Sequence, residues 1–451
     1  MTRVITYGTY DVLHYGHIRL LERARALGDY LIVGVTSDDF DKTRGKINNQ
    51  QSLMERVAAV KALGIADEVI VEEYEGQKID DIKKYNIDIF TVGSDWIGKF
   101  DYLNNYCKVV YLPRTEGISS TEIRSQKRNI RIGIVGEAII CEKFYNESKF
   151  VNGVEVTGIC TKNKEFSKEK FSVDIITDNY MELLDSVDAV YIASMPEFHY
   201  NQIKTAINLK KHVLTELPIA LSKSQSIELF ELANKNGVVL FNGIKTAYAT
   251  AYERLILLIK SGKIGHVVSI DSTCTSLHDI DGDSDEYINN NWNSICAWAP
   301  TALLPIFQIL GTDYKKKSIV SSFADKNKTF DNFSKINLIY EEATASILVG
   351  KGIKSEGQLI ITGTRGYAYI PAPWWKTDYF ELRFENQNDN KRYFYQLEGE
   401  GIRNEIAGFI AKINRSYIPN EISQTITTAI SSIIEDFNKK NDLIELQYKF
   451  Y

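Results

Sequence analysis

A chain of 451 residues is too long for a single hydrophobic core, and its length predicts two or three domains. Its 53 basic and 59 acidic side chains give a net charge of −6, so it lacks the basic field of a nucleic-acid binding protein, and nucleic acid is not expected as a partner. Five cysteines without C-x-x-C spacing predict neither disulfides nor a zinc or other metal site, and they fit the cytoplasm, where we expect the protein to reside.

Strand-like apolar runs alternate with helical patterns in the first part of the chain. These runs cover residues 4–7, 30–35, 68–71, 87–92 and 109–112. Such alternation is typical of a parallel sheet with crossover helices. We therefore predict an α/β domain with a Rossmann-like sheet over residues 1–128.

A second strand–helix alternation begins at Ile130 and predicts another doubly wound sheet, in a domain of residues 129–250. Its apolar runs are residues 130–135, 154–160, 189–193, 212–214 and 238–241. Strands with few helices between them follow, at residues 267–274, 319–323, 333–340, 345–349 and 357–362. Because helices near 402–413 and 422–438 close the chain, residues 251–451 are predicted to form an α+β domain with a mainly antiparallel sheet.

Neither a signal peptide nor a membrane span is predicted. Residues 1–3 lead directly into the first strand. The longest uncharged run, residues 296–312, is interrupted by Pro300, Pro305 and Gln308.

Two histidines stand where the first strand meets the first helix. The strand ends in a glycine turn and the helix opens on an H-x-G-H motif, through Gly8, Thr9, Tyr10, Asp11, His14, Gly16 and His17. In α/β folds this position binds phosphates, because free backbone N–H groups and the helix dipole favour negative charge. The motif therefore indicates phosphate binding, against the alternative of two surface histidines beside a turn.

A second segment supplies complementary groups about a hundred residues later. It offers an arginine for bidentate phosphate contact, a glycine that admits close backbone approach, and hydroxyls where a helix would begin: Arg114, Gly117, Ile118, Ser119, Ser120 and Thr121. Together the two segments indicate a nucleoside triphosphate as ligand.

These segments, with residues 20–24, 93–96 and 98–101, resemble the glycerol-3-phosphate cytidylyltransferases over residues 3–127. The resemblance implies transfer of CMP from CTP, accompanied by Mg²⁺, to a small phospho-alcohol such as glycerol 3-phosphate or a related polyol phosphate. The products would be a CDP-alcohol and pyrophosphate. Adenylyl transfer from ATP is the alternative within nucleotidyltransferases that share the motif.

The same resemblance assigns the site residues. The catalytic set is His14, His17, Lys46 and Arg114. The nucleotide-binding set adds Gly8, Thr9, Tyr10, Asp11, Gly16, Arg56, Asp95, Trp96, Gly117, Ile118, Ser119, Ser120 and Thr121. Two alternatives stay open from the residues themselves: the basic loop that carries Arg44 and Lys46 can be a solvated surface, and Asp11 can be a turn or helix-cap residue.

Residues 130–451 resemble the Gfo/Idh/MocA oxidoreductases, which are NAD(P)-dependent sugar and polyol dehydrogenases. The resemblance is carried by residues 188–193, Pro196 with His199, residues 211–214 and residues 261–265. It implies a dinucleotide site that includes Gly136, Thr161, Lys162 and Glu216. The Thr161–Lys162 pair fits NADP better than NAD if either cofactor binds.

Several functional positions of that family are altered in this chain. The G-x-G-x-x-G pattern retains only Gly136, since Ala138 and Cys141 replace the later glycines and Glu137 adds a carboxylate. The lysine of the family's Glu-Lys-Pro is Leu217, and Ala297 and Thr301 fall at the proton-donor positions. Lys245 is the candidate to replace them, with a structural role as the alternative, and His199 can likewise be a packing residue.

Two hypotheses follow. In the first, the second module is non-catalytic and the chain is a cytidylyltransferase; four altered positions favour this one. In the second, the chain is bifunctional, reducing a ketone or sugar phosphate with NAD(P)H and then activating the product as its CDP derivative. Both families commonly pair, so a homodimer is expected.

Overall fold

The computed structural model describes residues 1–11, 13, 15–37, 40, 51, 53–74, 76–113, 129–395, 397, 399–414 and 421–447, without the side chains of 15, 165 and 166. The chain divides into two compact units, Met1–Asn129 and Ile130–Tyr451. The further division of the second unit at residue 250 stays a prediction.

The first unit is built on a five-stranded parallel sheet. Its strands are β1 (Arg3–Gly8), β2 (Tyr30–Thr36), β3 (Glu68–Glu72), β4 (Ile89–Gly93) and β5 (Lys108–Leu112), in the order β3-β2-β1-β4-β5. The described helices are α1 (Tyr15–Arg25), α2 (Leu53–Ala62) and α3 (Gln77–Tyr85), with 3₁₀ turns at Ser94–Trp96 and Asp101–Asn105. The predicted α/β fold is confirmed.

The central strands of this sheet are apolar because both of their faces are covered. Val4 and Ile5 of β1 and Leu31 and Ile32 of β2 are fully buried. Val4 and Leu31 belong to one core cluster, whereas Ile5 and Ile32 belong to another on the opposite face.

The second unit opens with a six-stranded parallel sheet. Its strands are β6 (Ile130–Val135), β7 (Val154–Cys160), β8 (Ile175–Thr177), β9 (Ala189–Ile192), β10 (His212–Glu216) and β11 (Leu240–Gly243), in the order β11-β10-β9-β6-β7-β8. The helices are α4 (Ile139–Ser148), α5 (Lys164–Lys170), α6 (Tyr180–Ser186), α7 (Pro196–Asn208) and α8 (Lys223–Asn236). The predicted second doubly wound sheet is confirmed.

A nine-stranded mixed sheet completes the second unit. Its strands are β12 (Val267–Thr275), β13 (Lys316–Phe323), β14 (Asp331–Ile339), β15 (Thr344–Gly350), β16 (Leu359–Gly363), β17 (Gly366–Ile370), β18 (Tyr379–Phe384), β19 (Lys391–Phe394) and β20 (Leu443–Glu445). Neighbours are antiparallel except β12 with β15 and β13 with β20. The helices are α9 (Thr250–Lys260), α10 (Asp285–Asn290), α11 (Ser294–Leu310), α12 (Ile402–Ile413) and α13 (Gln424–Asn438).

One stretch, Asp285–Leu310, is long and apolar enough by length and composition to cross a membrane. Within its most apolar window, 67% of the residues are buried inside the protein. Leu303, Leu304 and Ile306 of α11 are fully buried. A buried core helix meets the same criterion, so the stretch is weak evidence for a membrane span.

Candidate functional site

The carboxyl edge of the first sheet carries most of the described residues that were predicted for nucleotide binding. The chain proceeds from β1 to β2 and β3 on one side, and β4 and β5 add on the other side, so strand order reverses between β1 and β4. In open α/β sheets, ligands bind in the crevice at this switch point. Residues 8–17 follow β1 and residues 94–96 follow β4, so both segments flank it.

Tyr10 shapes the turn between β1 and α1. Its φ is 52°, a left-handed conformation that costs energy for a non-glycine residue, and its side chain is 1% exposed. The ring lies against Gly8, where an added Cβ would stand 2.9 Å from Tyr10 Cζ. It also meets the His17 ring edge-on, with centroids 5.6 Å apart. Gly8 and Tyr10 thereby position His17 in the first turn of α1.

Asp11 and Arg56 join the loops of this edge. The Gln51 N–H donates to Asp11 Oδ1 at 3.0 Å, and the Asp11 side chain is buried. The fully buried Arg56 donates from Nη1 to the carbonyl oxygens of Thr9, at 2.7 Å, and Thr36, at 2.8 Å. Its Nε donates to the Gln51 carbonyl at 3.2 Å. These contacts give Arg56 a positioning role, and its predicted contact with phosphate stays a prediction.

Asp95 and Trp96 lie in the 3₁₀ turn after β4. Asp95 is exposed, whereas Trp96 is half-buried and packs against Phe100 with ring centroids 5.8 Å apart. The Lys99 ammonium stands 5.3 Å from the centre of the Trp96 ring. An aromatic face beside a cation at the switch point is suited to stacking on a nucleobase.

The other residues predicted for this site lie outside the described part of the chain. They are His14, Arg44, Lys46, Arg114, Gly117, Ile118, Ser119, Ser120 and Thr121. Of the predicted set, the structure thus brings together Gly8, Thr9, Tyr10, Asp11, Gly16, His17 and Arg56 at the end of β1, with Asp95 and Trp96 at the end of β4.

Sequence reasoning missed a buried polar network at the same edge. Glu72 at the end of β3 accepts a hydrogen bond from Thr36 Oγ1 at 2.9 Å and pairs with Lys78 of α3. Tyr7 donates to Asp81 Oδ2 at 2.9 Å, and burial, with Asp81 second, raises the Tyr7 pKa. The sequence signal that was available for this network is the polar residues at the ends of buried strands. Their pairing with α3 depends on tertiary packing.

The second parallel sheet has its own switch point, between β6 and β9. Gly136 follows β6 with φ 137°, and an added Cβ would stand 2.6 Å from the Ala193 carbonyl oxygen beyond β9. Only glycine fits this turn, which explains why the first glycine of the family pattern is retained. The Gly136 N–H also donates to the Cys160 carbonyl at 3.2 Å.

Glu137 turns its carboxylate onto the end of β7. Its Oε1 accepts from Thr161 Oγ1 at 3.0 Å and from the backbone N–H groups of Lys162, at 2.6 Å, and Asn163, at 3.2 Å. This is where a dinucleotide presents its ribose hydroxyls or 2′-phosphate in a Rossmann site. An internal carboxylate therefore occupies donors that the 2′-phosphate of NADP would need, and the residues present do not fit that phosphate without its displacement.

Glu216, at the end of β10, is half-buried and interacts electrostatically with the buried Glu405 of α12. Its Oε1 accepts from the Tyr191 hydroxyl at 2.6 Å, and burial raises its pKa. Glu405 of α12 is 1% exposed, and its Oε1 has no hydrogen-bond partner among the residues that the structure describes. Burial raises the Glu405 pKa well above its ordinary value, and Glu216 raises it further. Glu216 is thus held by protein groups rather than directed at a ligand.

The positions expected to transfer protons carry no acid. Leu217 is 4% exposed, and Ala297 and Thr301 lie on α11. Lys245, the candidate replacement, forms an ion pair with Glu400 at 2.9 Å. His199 is fully buried, with Nδ1 2.8 Å from the Pro218 carbonyl oxygen and Nε2 2.9 Å from that of Ser194, and burial lowers its pKa. These contacts favour the packing alternative for His199.

Comparison with known proteins matches each unit separately. Residues 5–126 match the cytidylyltransferase-like family, and residues 130–244 match an oxidoreductase family with an NAD-binding Rossmann fold. The glycerol-3-phosphate cytidylyltransferase of Bacillus spizizenii is 49% identical over 130 residues, which are 29% of this chain and all of that protein. The Bacillus subtilis protein of the same name is 51% identical over 126 residues, 28% of this chain and 97% of that protein.

Solved structures resemble the second part of the chain in fold alone. The 3-ketoreductase KijD10 from Actinomadura kijaniata, solved with NADP and TDP-benzene, aligns over 71% of this chain and 100% of its own with a TM-score of 0.62 and 18% identity. An oxidoreductase from Agrobacterium radiobacter, solved with NAD⁺, L-tartaric acid and magnesium, aligns over 69% of this chain and 96% of its own, with a TM-score of 0.58 and 14% identity. Both resemblances seen in the sequence are confirmed.

Proposed function

The chain belongs, through its first unit, to the glycerol-3-phosphate cytidylyltransferase family, and on this basis we propose that it transfers CMP from CTP to a small phospho-alcohol. The observation that carries the proposal is the 49% identity across the full length of a family member. The switch-point position of His17, Asp95 and Trp96 supports it, because a nucleotide would lie between β1 and β4 there.

In the reaction, a phosphate oxygen of the acceptor attacks the α-phosphorus of CTP. The bond from that phosphorus to the bridging oxygen breaks, and pyrophosphate leaves. Because negative charge spreads over the phosphoryl oxygens in the transition state, the protein's work is positioning and charge stabilisation. We assign this work to His17 together with His14, Lys46, Arg114 and residues 119–121.

The scaffold around His17 supplies preorganisation. Arg56 holds the ends of β1 and β2 through main-chain carbonyls, and Asp11 holds residue 51. Mg²⁺ would enter with the triphosphate, which supplies most of its oxygen ligands, and Asp11 and Asp95 are carboxylates of the type this ion prefers.

The acceptor is best identified by measurement. We expect pyrophosphate release with CTP and glycerol 3-phosphate, and much less with ATP in place of CTP. A panel of glycerol 3-phosphate, longer polyol phosphates, phosphocholine and phosphoethanolamine would rank the acceptors. Release with ATP but not CTP would contradict the proposal.

For the second unit we propose a binding or structural role without hydride transfer. Glu137 occupies donors that a 2′-phosphate would need, and the positions of the family's lysine and acid hold Leu217, Ala297 and Thr301. Leucine and alanine can neither transfer protons nor stabilise an alkoxide. Titration with NADH and NADPH, followed by fluorescence, should show weak binding or none.

The bifunctional alternative is favoured by one observation, the retention of the whole oxidoreductase fold across residues aligned with a complete 3-ketoreductase. Micromolar NADPH binding together with oxidation dependent on a ketone or sugar phosphate would support it. Lys245 would then be the first residue to replace.

We further propose a cytoplasmic homodimer. Sedimentation at micromolar concentration should show a species near twice the 51.3 kDa chain mass. A single species at the chain mass would contradict the dimer.

A further inference from the structure

Three lysines of the second unit converge on one carboxylate. Lys143 Nζ lies 2.9 Å from Glu400 Oε1, and the Nζ atoms of Lys245 and Lys376 each lie 2.9 Å from Glu400 Oε2. The lysines come from three separate elements, namely α4, the turn after β11 and the 3₁₀ turn Trp374–Lys376. Their convergence is a product of the tertiary fold.

The cluster carries excess positive charge. Three ammonium groups face one carboxylate, which leaves two positive charges uncompensated among the described residues of the cluster. The nearby Glu147 is paired with Arg403, so it is not available as a counter-charge. Desolvation raises the pKa of the half-buried Glu216 and of the buried Glu405, which favours their neutral forms, while Lys245 opposes the shift at both groups. Three cations around a single carboxylate repel one another, so the cluster favours an anion of higher charge than a carboxylate.

Glu400 is held in a strained conformation to reach this position. Its φ is 53°, and the flanking Gly399 and Gly401 have φ values of 57° and 86°. A non-glycine residue in the left-handed region costs free energy that the surrounding contacts must offset. The side chains remain reachable from solvent, with Glu400 34% exposed and Lys376 34% exposed.

We propose that Lys143, Lys245 and Lys376 form a binding site for a phosphate dianion, carried by a small phosphate monoester, and that Glu400 is an internal carboxylate that the ligand displaces. A phosphate offers three terminal oxygens, one for each ammonium group, where the carboxylate shares Oε2 between two lysines. The phosphate charge of about −2 also offsets the three lysine charges better than the single negative charge of the Glu400 carboxylate does. The site lies wholly in the second unit, so it does not depend on the proposed cytidylyl transfer.

The test is Glu400→Gln in the full chain, followed by thermal unfolding and calorimetric titration with inorganic phosphate and glycerol 3-phosphate. Without an anion the three lysines repel, so Tm should fall below that of the unchanged protein. Millimolar phosphate should restore it, while sodium chloride at equal ionic strength should not. The variant should bind phosphate at least about tenfold more tightly than the unchanged protein, because no internal carboxylate competes.

Two further variants control for other effects. Glu228→Gln removes an exposed carboxylate whose Oε1 lies 2.7 Å from Lys204 Nζ. The Tm of this variant should not respond to phosphate. Lys376→Met leaves Glu400 two lysines and should abolish phosphate binding to the second unit, which keeps the test decisive if Glu400→Gln does not fold. If glycerol 3-phosphate binds more tightly than phosphate, and Lys376→Met loses this binding, the ligand is an organic monoester. If the two bind equally, the ligand is free phosphate.

The proposal would be overturned if phosphate raised the Tm of Glu400→Gln no more than sodium chloride does. Phosphate binding that Lys376→Met leaves unchanged would also overturn it. The cluster would then be an ion-pair network that only connects the three elements.

Discussion

The two parallel sheets of this chain have the same switch-point geometry, but they use it differently. At the end of β1, the buried Arg56 donates hydrogen bonds to main-chain carbonyls. His17 and Trp96 are half-buried beside the crevice. At the end of β6, Glu137 instead caps the donors at the end of β7. The first edge is preorganised for a ligand, and the second is satisfied by the protein itself.

The difference shows that two parallel sheets with a switch point of the same kind can carry different groups at their carboxyl edges. Strand order, register and the glycine turn at Gly136 are preserved in the second unit because packing requires them. The groups that would contact a cofactor are not required by packing, so the fold alone does not determine them. Function is therefore argued from the groups at each edge and not from the fold.

The largest expected effect tests the first edge. His17→Ala should lower CTP turnover at least about a hundredfold, the scale of one lost preorganised donor, and leave the fold intact. Pyrophosphate release measures the turnover and circular dichroism the fold. His266→Ala is the matched control, since His266 is an exposed histidine of the second unit. Near-normal turnover of His17→Ala would remove this histidine from the catalytic set.

Replacement of Arg56 separates a positioning role from a phosphate contact. Arg56→Met leaves buried carbonyls without their donor and should lower the free energy of unfolding by about 2 kcal/mol. Denaturant unfolding measures the loss, and hydrogen exchange locates it in β1 and β2. Arg25→Met, at a part-exposed arginine that also donates to a carbonyl, should cost much less. Full stability with a raised Michaelis constant for CTP would favour a direct phosphate contact instead.

Glu137→Ala tests the second edge. Removing this carboxylate releases the Thr161 hydroxyl and two backbone N–H groups, so NADPH affinity should rise by about tenfold, or 1.4 kcal/mol. Fluorescence titration measures it. Glu142→Ala removes a carboxylate of α4 that pairs with Lys170, and it should leave the affinity unchanged. Equal NADPH affinity of Glu137→Ala and the unchanged protein would show that Glu137 does not occlude the site.

The sequence predicts the two parallel sheets well because their strands are apolar on both faces. It misses β8, which has three residues, and the strands β17 to β20 of the mixed sheet. In β19, Lys391 and Arg392 are exposed and no apolar period is present. The polar contacts escape prediction for a different reason. Arg56 meets Thr9 across 47 positions and Lys245 meets Glu400 across 155, so only the folded chain brings these groups together.

The smallest expected effect concerns the buried acids of the second edge. Because the Glu405 pKa is raised in the folded protein, the folded state keeps a proton that the unfolded chain releases above about pH 4.3. Stability contributed by this group is therefore full at low pH and is lost as the pH rises toward the raised pKa. Glu405→Gln cannot titrate, so its Tm relative to the unchanged protein should increase between pH 5 and pH 8, by roughly 2 °C. Glu421→Gln, at an exposed glutamate paired with Lys412, should show no such trend. Parallel Tm curves for Glu405→Gln and the unchanged protein would mean that Glu405 is ionised in the fold, and the lysine cluster beside it would then carry less excess charge.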